Sequence, residues 1–206
     1  MDTLILERVS NFILLVIGKT GYLGIFFLMA VESANIPIPS EIIMPFSGFL
    51  AASGVFYFWL VVVLGAFGNM FGSLFSYWLG YLVRKNILFW DNHRVSVQVE
   101  RAREWTQRFG DWAIFFSRLL PVVRTFISFP LGILRVSSLW RFSLFTLMGS
   151  FIWSAFLTWL GFILGKNWEI LQIYFRQFDY LILISITAII VWWLWRRFND
   201  KFKSEK

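Results

Sequence analysis

Cysteine is absent from the 206 residues, histidine occurs once, at His93, and charged residues make up only 15% of the chain. Without cysteine there is no disulfide framework and no thiolate nucleophile, and one histidine cannot build a His-rich metal site. A membrane lipid phosphatase needing both a histidine nucleophile and an acid is disfavoured on the same ground, so no enzyme, metal or cofactor is expected. The first residues, M-D-T-L-I-L-E-R-V, put an acid second and no basic run ahead of the apolar ones, so a cleaved signal peptide is not expected either. What fills the chain is apolar: 58% hydrophobic and 21% aromatic residues, with a mean hydropathy of +0.68. No charge falls between Ile42 and Val83 or between Phe142 and Gly165. Such a composition exceeds what a soluble core needs and predicts an all-α integral membrane protein of one domain.

The few internal charges sit in broken apolar stretches. Phe116 to Gly132 reads F-S-R-L-L-P-V-V-R-T-F-I-S-F-P-L-G, with Arg118 and Arg124 flanking Pro121, and Pro130 and Gly132 after them. An arginine at hydrocarbon depth is costly unless it lines a cavity or meets an opposite charge. Two prolines this close also break a helix, and broken backbone survives at that depth only where protein or a watery cavity satisfies it. The stretch is therefore expected to be a re-entrant hairpin presenting guanidinium groups to an anion. The competing reading is a kinked helix whose arginines snorkel to an interface. Upstream, E-S-A-N-I-P-I-P-S-E places Glu32 and Glu41 around Pro37 and Pro39, with Pro45 following. The same logic predicts a second broken hairpin whose acids are candidate proton carriers; the alternative is an external loop with two solvated glutamates.

Along the chain, residues 3–18 read as a mixed N-terminal helix and 21–54 as the first hairpin. Residues 56–83 are long enough to span a bilayer. Gly65, Gly68 and Gly72 recur there at the spacing that admits a close neighbouring backbone, and Asn69 beside them is expected to bond across to a hairpin. Residues 94–109 have the pattern of an amphipathic surface helix, with Trp105 at headgroup level and Glu104 paired to Arg108. His93 before it is most simply a solvated loop residue. The second hairpin, 112–134, precedes a span at 139–165, a short loop, a further span at 180–195, and a basic tail at 196–206. Basic residues favour the cytosolic side, which puts the C-terminus and residues 84–111 inside and opens the first hairpin outward.

The chain repeats itself. Y-W-L-G-Y-L-V-R-K from Tyr77 aligns with T-W-L-G-F-I-L-G-K from Thr158 at an offset of 81, and G-Y-L-G-I-F-F from Gly21 aligns with G-D-W-A-I-F-F from Gly110 at an offset of 89. Each half reads as a broken hairpin followed by a long helix, and an odd number of crossings between them makes the repeat inverted. Paired interrupted segments of this kind point to a transporter site near the bilayer midplane.

Three motifs carry a resemblance: E-x4-P-x-P-S-E from Glu32, G-N-x-x-G-x4-Y-x-x-G from Gly68, and F-x-R-x-x-P-x-x-R from Phe116, the last followed by P-L-G. Together they resemble the DedA family, once labelled SNARE-associated Golgi-like proteins, over roughly residues 21–165. The resemblance implies a polytopic bacterial inner-membrane protein with two re-entrant hairpins that moves undecaprenyl phosphate or phospholipids with dependence on the proton motive force. Carried across by motif, the essential acids are Glu32 and Glu41 and the essential arginines Arg118 and Arg124. The spacing of the acids is shorter than in some members, and P-L-G stands where Ala-Gly is often found.

The expectation is thus an inverted-repeat lipid transporter. Arg118 and Arg124 bind the phosphate, with Pro121 and Asn69 counted in the same site, and Glu32 and Glu41 couple protons. Pro37, Pro39, Pro45, Pro130 and Gly132 break the hairpins. Expected partners are membrane lipids with an anionic phosphate headgroup, and protons. No nucleic acid is expected, and nothing in the sequence argues against a homo-oligomer. The alternative, a proton-coupled small-ion or drug exchanger, fits the acids, but two buried arginines would repel a cationic substrate.

Overall fold

A computed structural model of the chain describes residues 2–36, 38–87, 93–135 and 137–164. The described residues form nine helices and no strand: α1 Asp2–Thr20, α2 Tyr22–Ser33, α3 Ser40–Ala52, α4 Phe58–Ile87, α5 His93–Phe109, α6 Trp112–Arg118, α7 Pro121–Phe126, α8 Ser128–Leu134 and α9 Leu139–Leu164. Pro37, the expected span at 180–195 and the basic tail lie outside the described residues. Two helices are long and apolar enough to cross a membrane, Phe58–Val83 within α4 and Leu139–Leu164, each of 26 residues. At 1.5 Å per residue that is about 39 Å, more than the roughly 30 Å hydrocarbon core.

Both long helices reverse the pattern of a soluble helix. Phe67, Phe71, Phe75 and Trp78 on α4 are exposed, while Gly65, Asn69, Gly72, Ser73, Ser76 and Gly80 on the same helix are buried. Lipid is as apolar as an aromatic side chain, so large apolar groups gain little by turning inward, and small or hydrogen-bonding residues define the helix–helix contacts. The two long helices pack on each other, and the shorter ones share them out. In the first half α2 lies on α4 and α3 on α9; in the second, α6 lies on α9 and α8 on α4.

Glycines set these contacts, and their placement recurs between the halves. A Cβ at Gly48 would collide with the carbonyl of Thr158, and one at Gly132 with that of Tyr77; Thr158 follows Tyr77 by 81 residues. Likewise Gly161 abuts the carbonyl of Pro45 where Gly80 abuts that of Phe129. Gly68 abuts the Phe26 carbonyl and Gly149 the Phe115 carbonyl, at the same offsets of 81 and 89 that the sequence shows. Of the three glycines whose spacing predicted close backbone approach, Gly68 and Gly72 serve it, against the carbonyls of Phe26 and Ala30, whereas Gly65 faces the side chain of Met44.

The interruptions follow proline chemistry, though not at every proline. Leu120 is extended, with φ −104° and ψ 112°, because a residue before proline is pushed out of the helical region, and Pro121 then opens α7. Pro39 is likewise extended and caps α3. Pro45 does not break the chain, contrary to expectation, and lies within an unbroken α3. It removes one helical hydrogen bond, the one its missing N–H would donate to the Glu41 carbonyl, and its own carbonyl packs on Gly161. Pro130 lies inside α8 and acts one turn earlier, where it cannot donate to the Phe126 carbonyl and the chain turns at Ile127. Gly132 also lies within α8, as a contact rather than a breaker.

Helix α5 differs from expectation in its ion pair, and one of its side chains ties it to α6. Trp105 turns into the protein, where its indole N–H donates to the Ala113 carbonyl at 3.1 Å and fixes α5 to α6. Its ion pair joins Glu100 to Arg103 at 4.0 Å rather than Glu104 to Arg108.

Candidate functional site

Arg118 ends α6 and is 1% exposed. Gly149 lets its Cβ rest directly on α9. From there Nη1 donates to the Arg124 carbonyl at 2.8 Å, and Nη2 donates to Ser128 Oγ at 2.9 Å and Thr146 Oγ1 at 3.3 Å. The guanidinium also lies over the Phe142 ring, 5.6 Å from its centroid. One side chain thus joins α6, α7, α8 and α9, and satisfies a carbonyl that the interrupted α7 leaves without an intrahelical partner.

Arg124 ends α7 and is 2% exposed. Its Nη2 donates both to Glu32 Oε1, at the end of α2, and to Ser40 Oγ, at the start of α3. Glu41 Oε1 stands 4.0 Å away, with its side chain one-third exposed, whereas Glu32 is buried. The guanidinium carbon lies over the ring of Trp153 of α9, 5.4 Å from the centroid. The Nε and Nη1 of Arg124 and the Oε2 of Glu32 are buried without a protein partner. A buried charge without its counter-charge is strongly unfavourable, so Glu32 and Arg124, 92 residues apart, account for each other's presence in an apolar interior.

The two arginines therefore stand differently. Arg118 is held by its own half of the chain, and Arg124 is shared with the acids of the other half. The backbone of Pro121 starts the helix that carries Arg124. Asn69 is buried, but its Oδ1 accepts from Ser150 on α9 at 2.8 Å and from Ser73 at 3.5 Å, so its partner is the other long helix rather than a hairpin. His93 begins α5. Among the described residues no group of three or more His, Asp or Glu side chains is placed as metal ligands would be.

Sequence reasoning missed Ser40, Ser128, Thr146 and Trp153. Ser40 could have been found, since it lies between Pro39 and Glu41 in a motif already singled out. Thr146, Ser150, Ser154 and Thr158 recur every fourth residue in the charge-free stretch of α9 and mark its inner face. Trp153 had no such signal among 12 tryptophans.

The VTT domain family model matches residues 38–163, a segment that holds both arginines and begins shortly after Glu32. The chain is 27% identical over 199 residues to undecaprenyl phosphate transporter A of Staphylococcus aureus, covering 93% of this chain and 94% of that one. The Bacillus subtilis protein of the same name is 31% identical over 157 residues, 72% of this chain and 74% of its own. An alkaline phosphatase-like protein of Lactococcus lactis is 28% identical over 193 residues, 88% of each chain. No solved structure matches.

Proposed function

This chain belongs to the VTT-domain family, the DedA family of membrane proteins, and from that premise we propose that it is a flippase-type or scramblase-type transporter of a phosphate-bearing lipid, with undecaprenyl phosphate and phospholipids as candidates. The observation that carries the reading is Arg124: a buried guanidinium held by one nitrogen on Glu32 and Ser40, with Nε and Nη1 left without a protein partner. Arginine suits the task because its planar fork pairs with phosphate oxygens and it stays charged. Arg118 adds positive charge and braces the segment that positions Arg124. The acyl or prenyl tail remains in lipid against the exposed aromatic faces of α4 and α9.

Coupling to the proton motive force follows from the ion pair. In the unloaded protein Glu32, with Glu41 nearby, neutralises Arg124. A proton delivered to Glu32 removes its charge and releases Arg124 to the phosphate; loss of that proton re-forms the pair and expels the lipid. The relatives named undecaprenyl phosphate transporter support this substrate class. The recurrent glycine contacts support an inverted repeat in which two re-entrant hairpins meet at the site. The family resemblance favours the bacterial inner membrane, and the Lys and Arg of the tail favour a cytosolic C-terminus.

The test is reconstitution. Purified protein in vesicles is expected to move undecaprenyl phosphate between leaflets, faster with a proton gradient, and to leave an organic cation such as ethidium behind. Movement of the cation without the lipid would replace this reading with the exchanger.

A further inference from the structure

Position 153 is where the two halves of the chain differ most usefully. Its counterpart 81 residues earlier is Gly72, which lets α4 press against the Ala30 carbonyl of α2. In the second half the corresponding first arm stops at Arg118, and α9 carries at this position the ring of Trp153, with the Arg124 guanidinium over it at 5.4 Å. A repeat that needs glycine for backbone contact in one half and carries the bulkiest side chain in the other has been specialised at that point.

The polar edge of that ring has no structural use. Trp153 Nε1 is buried and makes no hydrogen bond within the protein, although a buried indole N–H ordinarily finds a partner. Trp105, by contrast, spends its N–H on the Ala113 carbonyl. The face of Trp153 holds the Arg124 guanidinium by a cation–π contact, which orients it without using any of its N–H groups. At Arg124 and Trp153 there are therefore three buried, unpartnered donors of two kinds: Arg124 Nε and Nη1, and Trp153 Nε1. A phosphate monoester has several acceptor oxygens and takes such donors together.

We infer that Trp153 is a phosphate-binding residue, its ring aligning Arg124 and its indole N–H donating to an oxygen of the same phosphate. This rests on the transporter reading above and adds to it a neutral donor that distinguishes a phosphate from a lone counter-charge. The phosphate is that of a lipid headgroup or free inorganic phosphate.

Two variants remove the N–H: Trp153→Phe, which also shortens the ring, and site-specific β-(3-benzothienyl)alanine at position 153, which keeps the shape of tryptophan and lacks only the N–H. Trp159→Phe, an exposed tryptophan of the same helix, is the control. In vesicles each position-153 variant is expected to raise the KM for the polyprenyl phosphate roughly ten-fold, the scale of one hydrogen bond to a charged group, with the maximal rate little changed and Trp159→Phe unaffected. Inorganic phosphate is added as competitor. Weakening of both lipid transport and competition assigns the donor to the headgroup, and weakening of competition alone assigns it to free phosphate. Unaltered KM and unaltered competition in both variants, while Arg124→Lys is impaired, would overturn the assignment. A wild-type protein that neither moves the lipid nor binds phosphate would overturn the transporter reading together with it.

Discussion

Asn69 and Ser150 occupy equivalent positions in the two halves, 81 residues apart, and they are hydrogen-bonded to each other at 2.8 Å. Under a two-fold relation a residue meets its own counterpart only beside the axis. Ser40 and Arg124 obey the same rule at the offset of 84 that relates Gly48 to Gly132, and they too are hydrogen-bonded. Both contacts support an axis that runs between α4 and α9 and through the Arg124 cluster, where a repeat-built transporter is expected to hold its substrate.

If Asn69 and Ser150 pin that crossing, Asn69→Ala is expected to cost about 1–3 kcal/mol, because it leaves buried hydroxyls without an acceptor. Ser150→Ala is expected to cost about 1 kcal/mol. The double variant should fall short of the sum. Thermal unfolding of the purified protein in detergent measures all three, and strict additivity would separate the two residues.

The glycine contacts give a sharper contrast. Gly161→Ala drives a methyl group into the backbone of Pro45, which cannot yield as a side chain would, whereas a Cβ at Gly18 meets nothing within 4 Å. The first is expected to destabilise by roughly 1–3 kcal/mol or more and to lower abundance in the membrane. Gly18→Ala is expected to be neutral.

The two arginines are expected to fail in different ways when changed to lysine. Arg118→Lys cannot reproduce three hydrogen bonds from one planar fork, so melting temperature and abundance fall. Arg124→Lys keeps the charge opposite Glu32, so abundance stays near normal while lipid transport drops ten-fold or more. Equal loss of abundance in both would make Arg124 merely a second brace.

If the repeat is inverted, the two broken segments should open to opposite sides, which labelling checks. A cysteine in place of exposed Ser53 is expected to react with an impermeant thiol reagent from outside, and one in place of Ser137 only after permeabilisation. Identical labelling of the two would end the inverted arrangement.

Much of this was legible in the sequence because membrane chemistry is restrictive. Charge-free runs marked α4 and α9, and arginines and glutamates in such a chain had to find each other, which is the Glu32–Arg124 pair. The division of labour between Arg118 and Arg124 was not legible, since it depends on which of two similar side chains reaches across 92 residues. Pro45 misled because a proline removes a single helical hydrogen bond, the one to the Glu41 carbonyl, and a helix packed along its length on α9 runs through that loss. Asn69 misled because its choice of α9 over a hairpin is set by the tertiary crossing, not by its neighbours in sequence.

Proton coupling requires that Glu32 give up its hold on Arg124 when it takes a proton. Glutamine keeps the shape of the side chain and removes the proton site, so Glu32→Gln in proteoliposomes is the most direct test, with protein abundance and lipid movement measured with and without a pH gradient. The prediction is an abundant protein whose transport no longer responds to the gradient, with passive exchange retained. An abundant Glu32→Gln protein that responds to the gradient as the wild type does would contradict it, and a scarce, unstable one would reduce Glu32 to a structural counter-charge.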